Sequence, residues 1–266
     1  MKLALYETAT DFNASCRKYL LAEEAKNNMF IGSIDHAMSV YRDEAHVFGE
    51  VENQDQTVLV FMCNTKGQMF LYAPMRSTEY PVYKFLSKEL CKAGVQVNGV
   101  KAEPLTADLF AAAYSGQTER ESKVNMRMHI LLLTKLKSIE TLAFEVKKIT
   151  LADDYALTRE QVQFIREGSS GQEGLYFLMK DGIPVSQAAI RRKMSMGGVY
   201  TPDEHRRNGY SSALVYHLAK RILEAGNAYC IVHTDADHEI SNQMYMNMGF
   251  EHIADMTDIA FGQQHK

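Results

Sequence analysis

Val199–Ser212, VYTPDEHRRNGYSS, decides how this chain is read. The apolar run Met194–Thr201 before it has the length and bias of a strand. The run Ser211–Ala225 after it repeats as a helix, with Leu214, Leu218 and Ile222 on one face and Gly226 as its stop. Arg206–Ser211 therefore forms a turn from strand to helix. Amide N–H groups at a helix start lack intrahelical acceptors and lie at the positive end of the dipole, so such a turn can hold a phosphate. Gly209 allows positive φ or close approach, and Ser211 is expected to cap the helix. Arg191, Arg192, Lys193, Arg206 and Arg207 concentrate positive charge here, in a chain of net charge −4. The segment is neither G-x-x-x-x-G-K-[ST] nor G-x-G-x-x-G, so a Walker loop and a dinucleotide fingerprint are excluded.

The second half orders itself around this turn. Lys147–Leu151 reads as a strand, and Asp153–Glu167 as a helix with Leu157, Val162 and Ile165 inward. Gly174–Lys180 and Ile183–Arg191 are strands joined by Asp181-Gly182, a hairpin signal because both central residues must take positive φ. Ala228–His233 is a buried strand, Glu239–Met248 a helix with Ile240, Met244 and Met248 in register, and Phe250–Phe261 a strand. The first half runs in nearly the same order. Leu3–Tyr6 is a strand, and Asp11–Glu24 and Met29–Tyr41 are helices. His46–Glu52, Thr57–Asn64 and Gln68–Ala73 are strands. Tyr80–Ala93 is a helix, Val95–Val100 a strand, Thr106–Tyr114 a helix stopped by Gly116, and Asn125–Leu133 a strand. Gly94 and Gly226, each closing a long helix after Ala, stand 132 residues apart, and Tyr114 and Tyr245 stand 131 apart. The reading is a duplicated α/β unit, divided as 1–138 and 139–266.

The turn is similar to the pyrophosphate-binding motif of the GNAT N-acetyltransferase superfamily, Q/R-x-x-G-x-G/A, with Arg206, Gly209 and Ser211 in its three places. Ser211 departs from the usual Gly or Ala. Asn242 and Tyr245 match the family's N-x-x-Y on the next helix, and Gly249-Phe250 matches its G-F/Y exit. The resemblance spans roughly residues 145–262. It implies an α/β (α+β) fold of two GNAT-like domains, each a mixed, mostly antiparallel sheet flanked by helices. It also implies acetyl-coenzyme A as co-substrate. The backbone of Arg206, Arg207, Asn208, Gly209, Tyr210 and Ser211 would hold the pyrophosphate, and the strand edge at Val199, Tyr200 and Thr201 would pair with the pantetheine. Tyr245 would protonate the departing thiolate, and Asn242 would orient the cofactor. His233 and Asp235, at the end of the strand expected beside the thioester, are the candidate bases; Glu204 and His205 read as surface residues. The first half has MRSTEY where the loop belongs, without glycine, and resembles the degenerate N-terminal domain of tandem GNAT proteins.

Composition bounds the rest. The 266 residues are 46% hydrophobic and 23% charged, which excludes a disordered chain. With 29 Lys and Arg against 33 Asp and Glu, no basic domain marks a nucleic-acid partner. Cys16, Cys63, Cys91 and Cys230 form no C-x-x-C pair, so no metal site is expected and a reducing, cytoplasmic setting is. No apolar run reaches the roughly 20 residues of a membrane span, and residues 1–15 lack a signal-peptide core. The expected activity is transfer of acetyl to a small-molecule amine by direct attack in a ternary complex. The alternative is a coenzyme A-binding regulatory or scaffold protein without catalysis.

Overall fold

Strand Gln56–Cys63 (QTVLVFMC) shows how the first half is built, because seven consecutive side chains in it are buried. Leu59, Phe61 and Cys63 enter one apolar cluster, while Val60 and Met62 enter another. A sheet covered on both faces needs such a run, since alternate side chains point to opposite sides. The computed structural model describes residues 1–39, 44–139, 144–159, 161, 162, 165, 173–192 and 194–262. Elements of the first half are β1 (Lys2–Tyr6), α1 (Ala9–Leu21), α2 (Asn28–Ser39), β2 (Val47–Asn53), β3 (Gln56–Cys63), β4 (Gln68–Tyr72), α3 (Tyr80–Lys92), β5 (Gly99–Ala102), α4 (Pro104–Thr118) and β6 (Ser122–Leu133). Those of the second are β7 (Glu145–Lys148), β8 (Gly174–Lys180), β9 (Ile183–Arg191), β10 (Ser195–Tyr200), α5 (Tyr210–Glu224), β11 (Cys230–Asp235), α6 (Glu239–Asn247) and β12 (Glu251–Phe261).

The chain forms two units, Met1–His129 with Ala254–Lys266, and Ile130–Ile253. The sequence reading places one boundary at 138/139. The observed division needs two, because the end of β12 belongs to the first unit, and a boundary drawn along the chain cannot express that return. In the first unit the strands run β1-β2-β3-β4-β5-β12-β6. Helices α1 and α2 pack on one face through Phe12, Leu20, Ile31 and Ile34. Helices α3 and α4 cover the other through Tyr83, Leu86, Leu90 and Phe110. In the second unit the order is β6-β11-β10-β9-β8-β7. There Leu214, Leu218 and Ile222 of α5 are fully buried against Tyr176, Ala188 and Val232, each stabilising by about 2 kcal/mol. The opposite face carries Ile149, Leu175, Phe177 and Met179 under Tyr155, Leu157 and Ile165.

The two halves share an element order: β4-α3-β5-α4-β6 and β10-α5-β11-α6-β12 follow one plan. In each the strands flanking the long helix are parallel, β4 with β5 and β10 with β11. Gly94 and Gly226 take φ of 70° and 85° just past their helices, as the repeat requires. Asp181 and Gly182 both take positive φ at the β8–β9 hairpin.

Several expectations are corrected. Thr106–Tyr114 is part of a longer α4 that passes through Gly116 and ends at Glu119 in the left-handed region; one glycine costs a helix only about 1 kcal/mol. Val95–Val100 becomes a strand only at Gly99, since Val95 and Val97 serve the approach to it. Residues 154–158 of the expected helix Asp153–Glu167 are not helical, and the helical turn opens after Thr158. The Thr158 hydroxyl accepts from Gln161 N–H (3.2 Å) and the Gln161 carbonyl accepts from Thr158 N–H (2.7 Å), a capping box that sets the start. Much of the remainder, Glu167 included, lies outside the described residues. Ile240 is 81% exposed; α6 buries Asn242 and Tyr245 instead. Among the described residues no helix is long and apolar enough to cross a membrane.

Candidate functional site

Strand β10 is held by β9 along its length but by β11 only at its start. The parallel pairs are Ser195 with Ile231 and Met196 with Val232. Beyond Met196 the edge from Gly197 to Thr201 has no ladder partner on that side among the described residues. The register of β9 slips between Gly197 and Tyr200, with Gly198 at φ 63°. This bulge bends the strand as it leaves β11. The Gly197-Gly198 pair was readable as a bulge signal and was missed by the sequence reading.

After β10 the chain makes a short turn at Asp203–His205 and enters α5. Gly209 is the N-cap residue, at φ 74°, and makes no side-chain cap. A Cβ built there would meet nothing within 4 Å, so glycine is required by its conformation and leaves open space in front of the helix. The expectation that Ser211 caps α5 is corrected. Ser211 lies inside the first turn, and its hydroxyl is 2.9 Å from that of Thr201. Thr201 lies 2.9 Å from the Ser186 hydroxyl, which donates to the Tyr200 carbonyl at 3.2 Å. Each hydroxyl has one proton, so the chain runs Ser211 to Thr201 to Ser186 to the Tyr200 carbonyl. The serine in the place of Gly or Ala thus turns toward β10 and leaves the front of the loop clear.

Arg206 braces the loop. Its Nε donates to the Thr201 carbonyl at 3.0 Å and its guanidinium pairs with Asp203 at 2.8 Å. Asn208 donates to the carbonyls of His205 and Arg206, and Arg207 takes φ 63°. The amides of Tyr210, Ser211 and Ser212 precede the first intrahelical bond, which runs from Ala213 N–H to the Gly209 carbonyl. Tyr210 is buried against Phe144, with centroids 5.4 Å apart. His205 packs toward the Tyr210 ring and Glu204 is exposed.

The expected basic cluster does not assemble as one. Arg191 ends β9 and Arg192 lies in the turn before β10. Arg206 and Arg207 follow its other end, roughly 20 Å away along a six-residue strand. Nearness in sequence across a strand is distance in space. Lys193 lies outside the described residues.

The second group of expected residues gathers at the end of β11. The Asn242 amide nitrogen donates to the carbonyls of Asp235 and Ala236, both at 3.1 Å. Two carbonyl acceptors fix which end is nitrogen, and the amide oxygen is buried without a partner among the described residues. Asp235 is exposed, and its carboxylate accepts from Asp237 N–H at 3.0 Å, closing the turn into α6. Tyr245 is buried on the α5–α6 face with Met248 and Phe250. Burial, and then the neighbouring Cys230, pushes its phenol up to about 12. His233 alternates to the other face from Cys230 and Val232. Burial pushes its imidazole down to about 4, and its Nε2 has no partner among the described residues. The acid and base candidates thus flank β11 from opposite sides.

On the face of His233, a cavity of about 270 Å³ opens beside the end of β10. Tyr155, Phe177, Pro184, Gln187, Tyr200 and Pro202 line it, with Ala156 and Ser186. Phe177, Gln187 and Tyr200 are successive cross-strand neighbours on β8, β9 and β10 and form its floor.

The first unit carries the same plan with different chemistry. Glu79, a carboxylate, is the N-cap of α3, and Pro81 removes an amide donor from its first turn. Tyr114, the counterpart of Tyr245, accepts the Val97 N–H at 2.9 Å. Its phenol oxygen is committed within the fold.

Residues 186–258 match the family described as FR47-like protein. This span runs from within β9 into β12 and holds the loop and both gathered groups. Among solved structures, the chain is similar over 98% of its length to all of a GNAT-family acetyltransferase from Colwellia psychrerythraea, at 14% identity and TM-score 0.60. It is similar over 99% of its length to 99% of a Drosophila protein, at 9% identity and TM-score 0.70. No curated protein matches the sequence. The chain thus has the fold of the GNAT superfamily. It has that fold in two-domain form: all of it aligns with 99% of a tandem GNAT protein from the clavulanic acid biosynthesis pathway, at 11% identity and TM-score 0.57.

Proposed function

We propose that the second unit is an N-acetyltransferase that moves acetyl from acetyl-coenzyme A to an amine within a ternary complex. The observation that carries this reading is the parting of β10 from β11 beside a glycine-opened helix start. The strand edge from Gly197 to Thr201 has no ladder partner toward β11 among the described residues, and the amides that open α5 follow it in the chain. The chain's residues fit such a ligand. Amides of Arg207–Ser212 suit a pyrophosphate, the Gly197–Thr201 edge suits the amides of a pantetheine, and the buried Asn242 oxygen lacks a donor. When bound, acetyl-coenzyme A supplies the acetyl group as an activated thioester.

The residues then divide the proton work. Tyr245, held protonated, donates to the sulfur as the C–S bond breaks. Its raised value makes full transfer before bond cleavage unfavourable, so it acts on developing thiolate charge. His233 is too weak a base at about 4 to strip an ammonium in the ground state. The acceptor therefore enters as the neutral amine, and His233 takes its proton as the N–C bond forms. Asp235, exposed and committed to a turn, is the poorer base. The first unit, with Glu79 and Pro81 at the helix start, holds no coenzyme A. Release of free thiol from acetyl-coenzyme A in the presence of amines, with binding followed by calorimetry, tests the reading. Failure of the intact chain to bind coenzyme A overturns it, and tight binding without transfer to any amine leaves a binding protein.

A further inference from the structure

The cavity on the His233 face reports the kind of amine it would take, a step that rests on the acetyltransferase reading. Among the described residues, no charged side chain lines it; the walls are aromatic rings, prolines and two polar side chains. Among the described residues the lining offers a second ammonium or a carboxylate no counter-charge, whereas its rings offer an apolar ligand contact. At about 270 Å³ the space lies just below the roughly 300–1,000 Å³ of drug-sized sites and admits one ring with a short arm.

The polar anchor has a definite sign, fixed at a distance. The Gln161 carbonyl must face the Thr158 N–H, because only the oxygen can accept from it. The Gln161 amide nitrogen then faces Gln187 and donates to its carbonyl at 2.6 Å. That leaves the Gln187 NH2 as a donor with no acceptor among the described residues. Ser186 spends its proton on the Tyr200 carbonyl and accepts from Thr201. A helix cap has thereby oriented a side chain of the pocket floor.

We infer that the acceptor is a small primary amine on a single aromatic or apolar ring, bearing a hydrogen-bond acceptor for Gln187 and no second charge. The described lining gives polyamines, amino sugars and free amino acids no partner for their additional charges.

The test uses the full-length protein with four amines: 4-methoxyphenethylamine, phenethylamine, spermidine and phenylalanine. Transfer is read as kcat/KM, and amine binding is read directly by saturation-transfer NMR, with and without coenzyme A. The expected order places 4-methoxyphenethylamine about five-fold above phenethylamine, as one neutral hydrogen bond allows, and both at least ten-fold above the other two. Gln187→Leu should erase the methoxy preference, and Gln187→Glu should narrow the margin against spermidine. Spermidine or phenylalanine matching the aromatic amines overturns the inference, as does a methoxy preference that survives both substitutions. If transfer fails with every amine, the NMR arm still decides: the aromatic amines must bind selectively, and their failure to do so overturns the pocket. Loss of coenzyme A binding in calorimetry instead speaks against the acetyltransferase reading.

Discussion

Gly209→Asp and Gly209→Asn separate charge from shape at the loop. Both side chains are nearly the same size, and both tolerate the left-handed region better than most residues. At φ 74° each carries a similar strain, about 1 kcal/mol, and neither meets a neighbour, since the added Cβ has nothing within 4 Å. Neither can cap α5 in the usual way, because that needs an extended backbone at the N-cap. Folding stability should therefore fall by a similar small amount in both. Ligand binding should not. A carboxylate about 5 Å from one phosphate charge, at an effective dielectric near 20, repels it by about 3 kcal/mol. That corresponds to roughly a 100-fold difference in Kd between the two variants. Calorimetric titration with coenzyme A in low salt measures it, with urea midpoints as the stability control. The gap should shrink as salt is raised. Equal coenzyme A affinity in the two variants would refute the placement of the pyrophosphate at this helix start.

Other outcomes follow from the same geometry. Tyr245→Phe should lower kcat about 100-fold with coenzyme A affinity kept; an unchanged kcat removes the phenol from the reaction. His233 has a folded value near 4, below its ordinary 6.5, so burial of the neutral ring gives stability that is intact above pH 6.5. That stability is lost as the pH falls through 4, by at most about 3 kcal/mol. Urea midpoints at pH 7 and pH 4.5 should differ less in His233→Phe than in the parent chain, and equal differences would contradict this. Leu218→Ala opens the fully buried side of α5 and should cost about 2–5 kcal/mol in denaturant titration. If the acceptor enters neutral, kcat/KM should rise with pH toward the amine's own pKa. A weakly basic amine should then plateau earlier than a strongly basic one, and coincident profiles would point to an enzyme group instead.

Periodicity located nearly every element, because apolar spacing reports burial directly. Its failures are local and physical. Gly116 was read as a stop, though a helix with packed neighbours tolerates one glycine. Asp153 was read as a helix start while the stronger signal, Thr158-x-x-Gln161, stood five residues on. The loop was legible because glycine and small residues at fixed spacing leave a mark in sequence. The role of Ser211 was not, since its bond to Thr201 depends on a strand lying beside the helix. Arg191 and Arg192 stand close to Arg206 in sequence, but the six residues of β10 carry the chain away between them. The cavity was invisible for the opposite reason: Tyr155, Phe177, Gln187 and Tyr200 come from separate segments, and only the sheet register makes them neighbours.

The parting of β10 and β11 has a consequence for how the protein behaves at rest. A strand edge with free N–H and C=O groups is a template onto which any extended chain can dock, and proteins keep such edges short, bent or covered. Here the open edge extends only from Gly197 to Thr201, and a bulge twists it. A bound pantetheine would cover what remains. Saturation with coenzyme A should thus suppress self-association and slow heat-induced clouding by more than its effect on Tm accounts for, making the ligand a guard of this open seam.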